Sequence, residues 1–233
     1  MDKIIHFLKV FLGLVIIILI SCNTKNSIDT KNIFEQASPS DSLTNYFPTT
    51  LREFRQKWYS TNLYSFKVPV LYNKTDSQTI YRLLWLRSFD QPVCFSFKEL
   101  DGDYFLNIKT IDRQPTFYPK IGGRHKDNIT GKAFYDTIKA DYFALVDFNR
   151  VRMLRSGQWN EINNYLSKLD FWNSPVVDLN DNSSSDGSNW ILEGRQNKKY
   201  HFIDRRNPNK ELMSLGKYLI SLSGLKINDR SIY

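Results

Sequence analysis

Cysteine and histidine are both scarce in this sequence: two and three residues out of 233. Two cysteines cannot build a disulfide framework, so the fold must rest on a hydrophobic core. His6, His125 and His201 stand far apart with no Cys or His at ligand spacing, which argues against a zinc site. No Gly-x-Ser-x-Gly elbow is present, and Thr130-Gly131-Lys132 lacks the rest of a phosphate loop. No internal repeat and no helix-turn-helix or RNP-like pattern occurs, so nucleic acid is not an expected partner. Asp101 and Asp103 flank Gly102 and read as turn chemistry rather than an acid/base pair. Asp178, Asp181 and Asp186 are oxygen-rich but lack the closing bidentate Glu of a calcium loop. No metal and no cofactor is expected, and the chain leans away from being an enzyme. The apolar, uncharged stretch Val10 to Ile20 falls short of the ~20 residues a membrane-spanning helix needs.

That same run is the most specific feature present. Lys3 and Lys9 precede it, and Leu19-Ile20-Ser21-Cys22 ends it. The pattern resembles the lipobox of bacterial lipoproteins. The resemblance implies a thioether-linked diacylglycerol on Cys22, cleavage before it, and acylation of the new amine. Acyl chains contribute ~0.8 kcal/mol per buried CH₂, so two or three such chains, palmitate among them, hold a protein on a membrane. The organisation that follows is a signal peptide over 1–21, a polar Ser/Thr/Asn-rich tether over 22–45 and one globular domain over 46–233. Asn23, where inner-membrane lipoproteins carry Asp, implies the outer membrane. The lack of an acidic cluster after Cys22 implies a domain facing the periplasm. Lipidation of Cys22 leaves Cys94 alone, in the apolar strand Val93-Cys94-Phe95-Ser96-Phe97, where it reads as a small buried hydrophobe.

The chain is rich in aromatics (15%) and basic overall, with a formal net charge of +8. That balance favours anionic envelope surfaces as partners. Pro48-Thr49-Thr50 opens a helical pattern that places Leu51, Phe54 and Trp58 on one face, with Thr49 or Thr50 as the cap and Arg52, Arg55 and Lys57 on the others. Ile80 to Phe89, Val93 to Phe97 and Tyr104 to Ile111 read as a three-stranded meander, turning at Asp90-Gln91-Pro92 and at Asp101-Gly102. Asp112 to Lys132 reads as a long basic loop, and Ala133 to Val151 as strand-like. Trp159, Ile162, Leu166 and Leu169 define a second helix capped by Ser156. Trp190 to Gln196 and Lys199 to Arg205 form a hairpin around Asn197-Lys198. Leu212, Leu215, Leu219 and Leu222 define a last helix, ended by Gly224. Strands and helices are segregated rather than alternating. The expected class is therefore α+β: an antiparallel sheet of meander plus C-terminal hairpin, with about three helices packed on it in two layers.

Three segments carry a further resemblance. Tyr81-Arg82-Leu83-Leu84-Trp85-Leu86-Arg87-Ser88-Phe89 with Pro92-Val93 is one, and Leu169-Asp170-Phe171-Trp172 is another. The third is Asp186-Gly187-Ser188-Asn189-Trp190-Ile191-Leu192-Glu193-Gly194 with Tyr200-His201-Phe202-Ile203-Asp204-Arg205 and Pro208. Together they are similar to a family of uncharacterised bacterial proteins, several of them exported, across roughly residues 46 to 225. The resemblance implies no particular activity.

Two clusters are candidates for ligand binding. A two-residue turn at Asn197-Lys198 sets Glu193 opposite Phe202 and Gly194 opposite His201. Trp190, Leu192, His201, Ile203 and Arg205 then share one face, and Glu193, Arg195, Tyr200, Phe202 and Asp204 the other. Trp190, His201 and Arg205 could hold an anionic or sugar-like ligand, with Glu193 joining only if it lies near His201. The second cluster is Arg124, His125 and Lys126 in the basic stretch, suited to phosphate or acidic sugar. The leading expectation is a lipid-anchored envelope protein whose domain binds a protein or an anionic envelope ligand without catalysis. The alternatives are a hydrolase of cell-wall or glycan material, using Glu193 and His201 as acid and base, and a structural component of an envelope complex.

Overall fold

The alternation of apolar residues along the chain resolves into one broad antiparallel sheet. The structure, a computed structural model, describes residues 33–34, 45–74, 76–115, 143–178, 187–206 and 208–232, and the backbone of 120–126 and 133–138. Cys22 and the rest of the proposed signal peptide and lipobox lie outside the described residues, as does most of the tether. The chain divides into two compact units, Met1–Ile33 and Phe34–Tyr233. The second holds every element described here. In order these are α1 (Glu53–Ser65), β1 (Ile80–Arg87), β2 (Val93–Leu100), β3 (Asp103–Ile111), β4 (Lys120–Lys126), β5 (Ala133–Ile138), β6 (Val146–Leu154), α2 (Ser156–Lys168), β7 (Ser188–Gln196), β8 (Lys199–Arg205) and α3 (Lys210–Ser223).

Six strands form the main sheet in the order β6-β3-β2-β1-β7-β8, all neighbours antiparallel, while β4 and β5 pair separately. The meander and the C-terminal hairpin are both present. The basic stretch is not all loop, since Lys120–Lys126 is a strand paired with Ala133–Ile138. Both two-residue turns use left-handed backbone, at Asp101 and Gly102 and at Asn197 and Lys198. This is the conformation that matches the right-handed twist of the flanking strands. β1, central in the sheet, is buried along its whole length.

Among the described residues the fold is α+β, with three α-helices on an antiparallel sheet. The helices divide between its faces, however, so there are three layers where two were expected. One face carries α2 and α3, packing Trp159, Ile162, Leu166, Leu215 and Leu219 onto Leu83, Trp85, Phe95, Phe97 and Ile108. The other carries α1 and the segment before it, packing Tyr46, Phe47, Tyr59 and Leu63 onto Leu84, Leu86, Ile191 and Phe202. Cys94 is buried in this second core, as its strand context predicts.

Two helices follow the sequence closely. α2 buries Trp159, Ile162 and Leu166, although Ser156 is its first residue rather than its cap, and the Gln158 side chain accepts from the Arg155 N–H at 2.9 Å. In α3 the side chain of Asn209 caps the start by accepting from Leu212 N, and Gly224 ends it in the left-handed conformation (φ 76°). α1 does not follow. Its buried face is Gln56, Tyr59, Ser60, Asn62, Leu63 and Ser65, and Phe54 points outward. The polar members of that face have work to do on irregular backbone. Gln56 Nε2 donates to Phe47 O at 3.0 Å, Ser60 Oγ accepts from Tyr46 N at 3.1 Å, and Ser65 Oγ accepts from Ala144 N at 3.2 Å. Helical periodicity of apolar residues cannot find a face whose burial depends on hydrogen bonds to a loop.

Candidate functional site

The hairpin has the register its turn predicts: Glu193 lies opposite Phe202, Gly194 opposite His201 and Trp190 opposite Arg205. The side chains, however, are spent on architecture. Trp190 is fully buried among α3 and the sheet, its ring 4.9 Å from that of Trp85, and its Nε1 donates to Ser188 Oγ at 2.8 Å. His201 is half-buried beside Phe171 and Trp172, with Nε2 2.9 Å from Ser174 O. Burial lowers its pKa, and the cationic Lys199 and Arg205 add to that. Arg205 donates to Pro175 O at 2.7 Å and Val176 O at 3.1 Å, clamping the segment that runs beside β8.

Glu193 projects from the opposite face, so it cannot act with His201. It is sealed with Arg82 in an ion pair, and Tyr200 Oη donates to its Oε2 at 3.1 Å. Burial pushes the Glu193 carboxyl above its ordinary pKa, with the Arg82 guanidinium and the Tyr200 hydroxyl pulling against it. Arg82 also donates to Pro69 O at 2.7 Å and lies under the ring of Tyr46. Trp190 and Glu193 are thus closed to any ligand, and the four hairpin candidates form no common pocket. In the second cluster, the backbone of Arg124, His125 and Lys126 is in β4, and their side chains lie outside the described residues. So do Asp181 and Asp186.

A different set of residues converges where β1 ends and β7 begins, against the first turns of α1. There a cleft of about 400 Å³ is lined by Phe54, Arg55, Trp58, Arg87, Asn189 and Arg206 among others, over Leu86. Phe54 is 51% exposed, and its ring lies 6.1 Å from that of Trp58, one turn along the helix. Arg55 Nη1 donates to Asp204 Oδ2 at 2.7 Å, and Tyr59 Oη donates to the same oxygen at 2.9 Å. Asn189 Nδ2 donates in turn to Tyr59 Oη at 3.0 Å. Tyr59 therefore stays protonated, its pKa raised first by burial and then by the Asp204 carboxylate. Arg87 is held over the ring of Trp85 and donates to Gln91 O from Nη2 at 2.6 Å. Gln114 donates to Arg87 O at 2.9 Å, and its Oε1 is buried with no partner among the described residues.

The arrangement offers aromatic faces, guanidinium charge held in place by carboxylate and carbonyl partners, and amide groups. That is a donor-rich pocket with apolar walls, suited to binding. Sequence reasoning missed it because Phe54 and Trp58 read as core, and Arg55 as solvent-facing. A scan of the chain against protein-family models, curated proteins and solved structures returns no match.

Proposed function

We propose that this chain is a lipid-anchored envelope protein whose domain binds an acidic glycan fragment in the Phe54–Trp58–Arg206 cleft, without chemical turnover. The anchor rests on the Lys3–Cys22 pattern and the domain's role on the cleft. The observation that carries the binding role is an aromatic pair on α1, exposed Phe54 and half-buried Trp58, set beside Arg55, Arg87 and Arg206 in one cleft. Aromatic faces stack on sugar rings, and guanidinium groups take carboxylate or phosphate substituents in two-point contacts. Arg55 and Arg87 are already fixed by Asp204 and Gln91, so little side-chain freedom is lost on binding. The hydrolase alternative loses support because its acid/base pair, Glu193 and His201, projects from opposite faces of the sheet.

Calorimetric titration of the full chain with a peptidoglycan digest and with core oligosaccharide of lipopolysaccharide tests the binding role. Trp58→Ala is expected to weaken the interaction by ~10-fold or more, and Arg206→Ala to weaken it and flatten its salt dependence. Equal affinity in the variants, or no binding to either glycan, sinks the reading. The anchor is tested by palmitate labelling, which Cys22→Ala should abolish together with the signal cut.

A further inference from the structure

At the opposite end of the sheet, where β1 begins and the β7–β8 turn closes, a second cleft of about 310 Å³ is walled by Lys74, Arg195 and Lys198, with Tyr72 and Tyr200 alongside. Arg195 is only 2% exposed. Its Nη2 lies 2.6 Å from Asp76 Oδ1, while Nε and Nη1 are buried without a hydrogen-bond partner among the described residues. Buried N–H groups without acceptors are exceptions in folded proteins, and they are costliest on a charged group. Lys98 lies on the same face: it and Arg195 flank Ile80 from the two neighbouring strands, and Lys98 is itself buried. Glu193 is committed to Arg82 and Tyr200. The cleft thus gathers Lys74, Arg195 and Lys198, with Lys98 next to Arg195 on the same sheet face and its ammonium over the Phe34 ring. Asp76, its side chain 42% exposed, is the carboxylate that pairs with Arg195.

We propose that this cleft is an anion site for a phosphate group, whose oxygens take the idle Arg195 donors from below and the Lys74 and Lys198 ammonium groups from outside. Donors arriving from three directions suit a tetrahedral oxyanion better than a planar carboxylate, and a doubly charged group suits the cationic excess. Asp76 is the internal competitor. It occupies part of the guanidinium from an exposed loop and must swing outward for the anion to reach Nε and Nη1. A free phosphate and a phospholipid headgroup would present the same chemistry. The site is separate from the Phe54–Trp58 cleft and stands or falls without it.

The test is ³¹P NMR and calorimetric titration of the full chain, in maltoside detergent at low ionic strength, with inorganic phosphate and with glycerol 1-phosphate. Saturable binding is expected. Asp76→Ala should tighten it by about tenfold, and Lys74→Ala with Lys198→Ala should weaken it by about tenfold or more, each change corresponding to one charge-assisted contact. Lys74 and Lys198 are exposed, so their variants fold. Asp76→Ala takes the carboxylate from buried Arg195, so a melting curve checks it, and Asp76→Asn, which keeps an acceptor, replaces it if it unfolds. Sulfate should compete and chloride at equal ionic strength should not. Glycerol 1-phosphate binding more tightly than inorganic phosphate identifies a headgroup site, and equal or weaker binding a free-phosphate site. No saturable binding, competition by chloride as strong as by sulfate, or the same affinity in all variants overturns the proposal.

Discussion

Gly216 in the middle of α3 offers a sharp test of the packing. An alanine at an exposed helix position is favoured over glycine by about 0.8–1 kcal/mol, so helix propensity alone says that Gly216→Ala stabilises. The structure says the reverse. A Cβ at this position would lie 1.9 Å from Cζ3 and 2.5 Å from Cη2 of Trp190. Trp190 has no room to retreat, being fully buried, backed by Trp85 and tied through Nε1 to Ser188. The helix must move off the sheet instead, which disturbs Leu215 and Leu219 beside it. Overpacking of this kind costs about 1–3 kcal/mol and sometimes more, and so close an approach belongs at the upper end. Against the gain in propensity, the net loss is about 2 kcal/mol. For a domain of this size that lowers the thermal midpoint by roughly 4–8 °C. Melting curves followed by circular dichroism read it directly. Trp190→Phe in the same background should recover part of the loss, so that the double variant is more stable than the two single losses summed. An unchanged or raised midpoint for Gly216→Ala would refute the contact.

Glu193→Gln leaves Arg82 buried without its counter-charge and should cost about 3–5 kcal/mol in urea unfolding. The double variant Arg82→Met with Glu193→Leu should cost much less, since both charges leave together. The His201 pKa is held below its unfolded value by burial, so folding favours the neutral ring. Its contribution to stability is complete above about pH 6.5 and is lost as pH falls through the lower folded-state value. His201→Gln should therefore show a shallower decline of the thermal midpoint than the wild type between pH 7 and 5. An identical slope in both would mean that the ring titrates alike folded and unfolded.

The half of the fold that was legible in the sequence obeys a single rule, apolar residues recurring at strand or helix period. Val93, Phe95 and Phe97, the α2 set from Trp159 to Leu169, and the α3 leucines all meet on one face of the sheet. The turn residues Asp101-Gly102 and Asn197-Lys198 fixed the hairpin registers, because two left-handed residues in a row admit only the short loop. Where the rule assigned ligand contacts to residues with a polar tip, it failed. Trp190, His201 and Arg205 do share a face as their alternation requires. That face is a core, and each tip is satisfied by a nearby backbone or hydroxyl group.

The other half was hidden for one reason, which also accounts for both clefts. Alternate residues of β1 and β7 on the α1 side include Arg82, Glu193 and Arg195, and a strand read with charges on one face reads as half-solvated. Helix α1 likewise presents Gln56, Ser60 and Asn62 inward, a pattern that looks like a wet surface. The two sets bury each other. Arg82 meets Glu193, Asp204 meets Tyr59 and Arg55, and the polar helix face meets the backbone of Tyr46 and Phe47. A layer built from paired polar groups is satisfied only as far as its partners reach. At the β1 start, Arg195 has more donors than Asp76 can use. At the β1 end, Phe54 is left outside because α1 turns its hydrogen-bonding face, not its apolar one, to the sheet. The unmet donors and the uncovered ring are consequences of covering the second face with a polar helix.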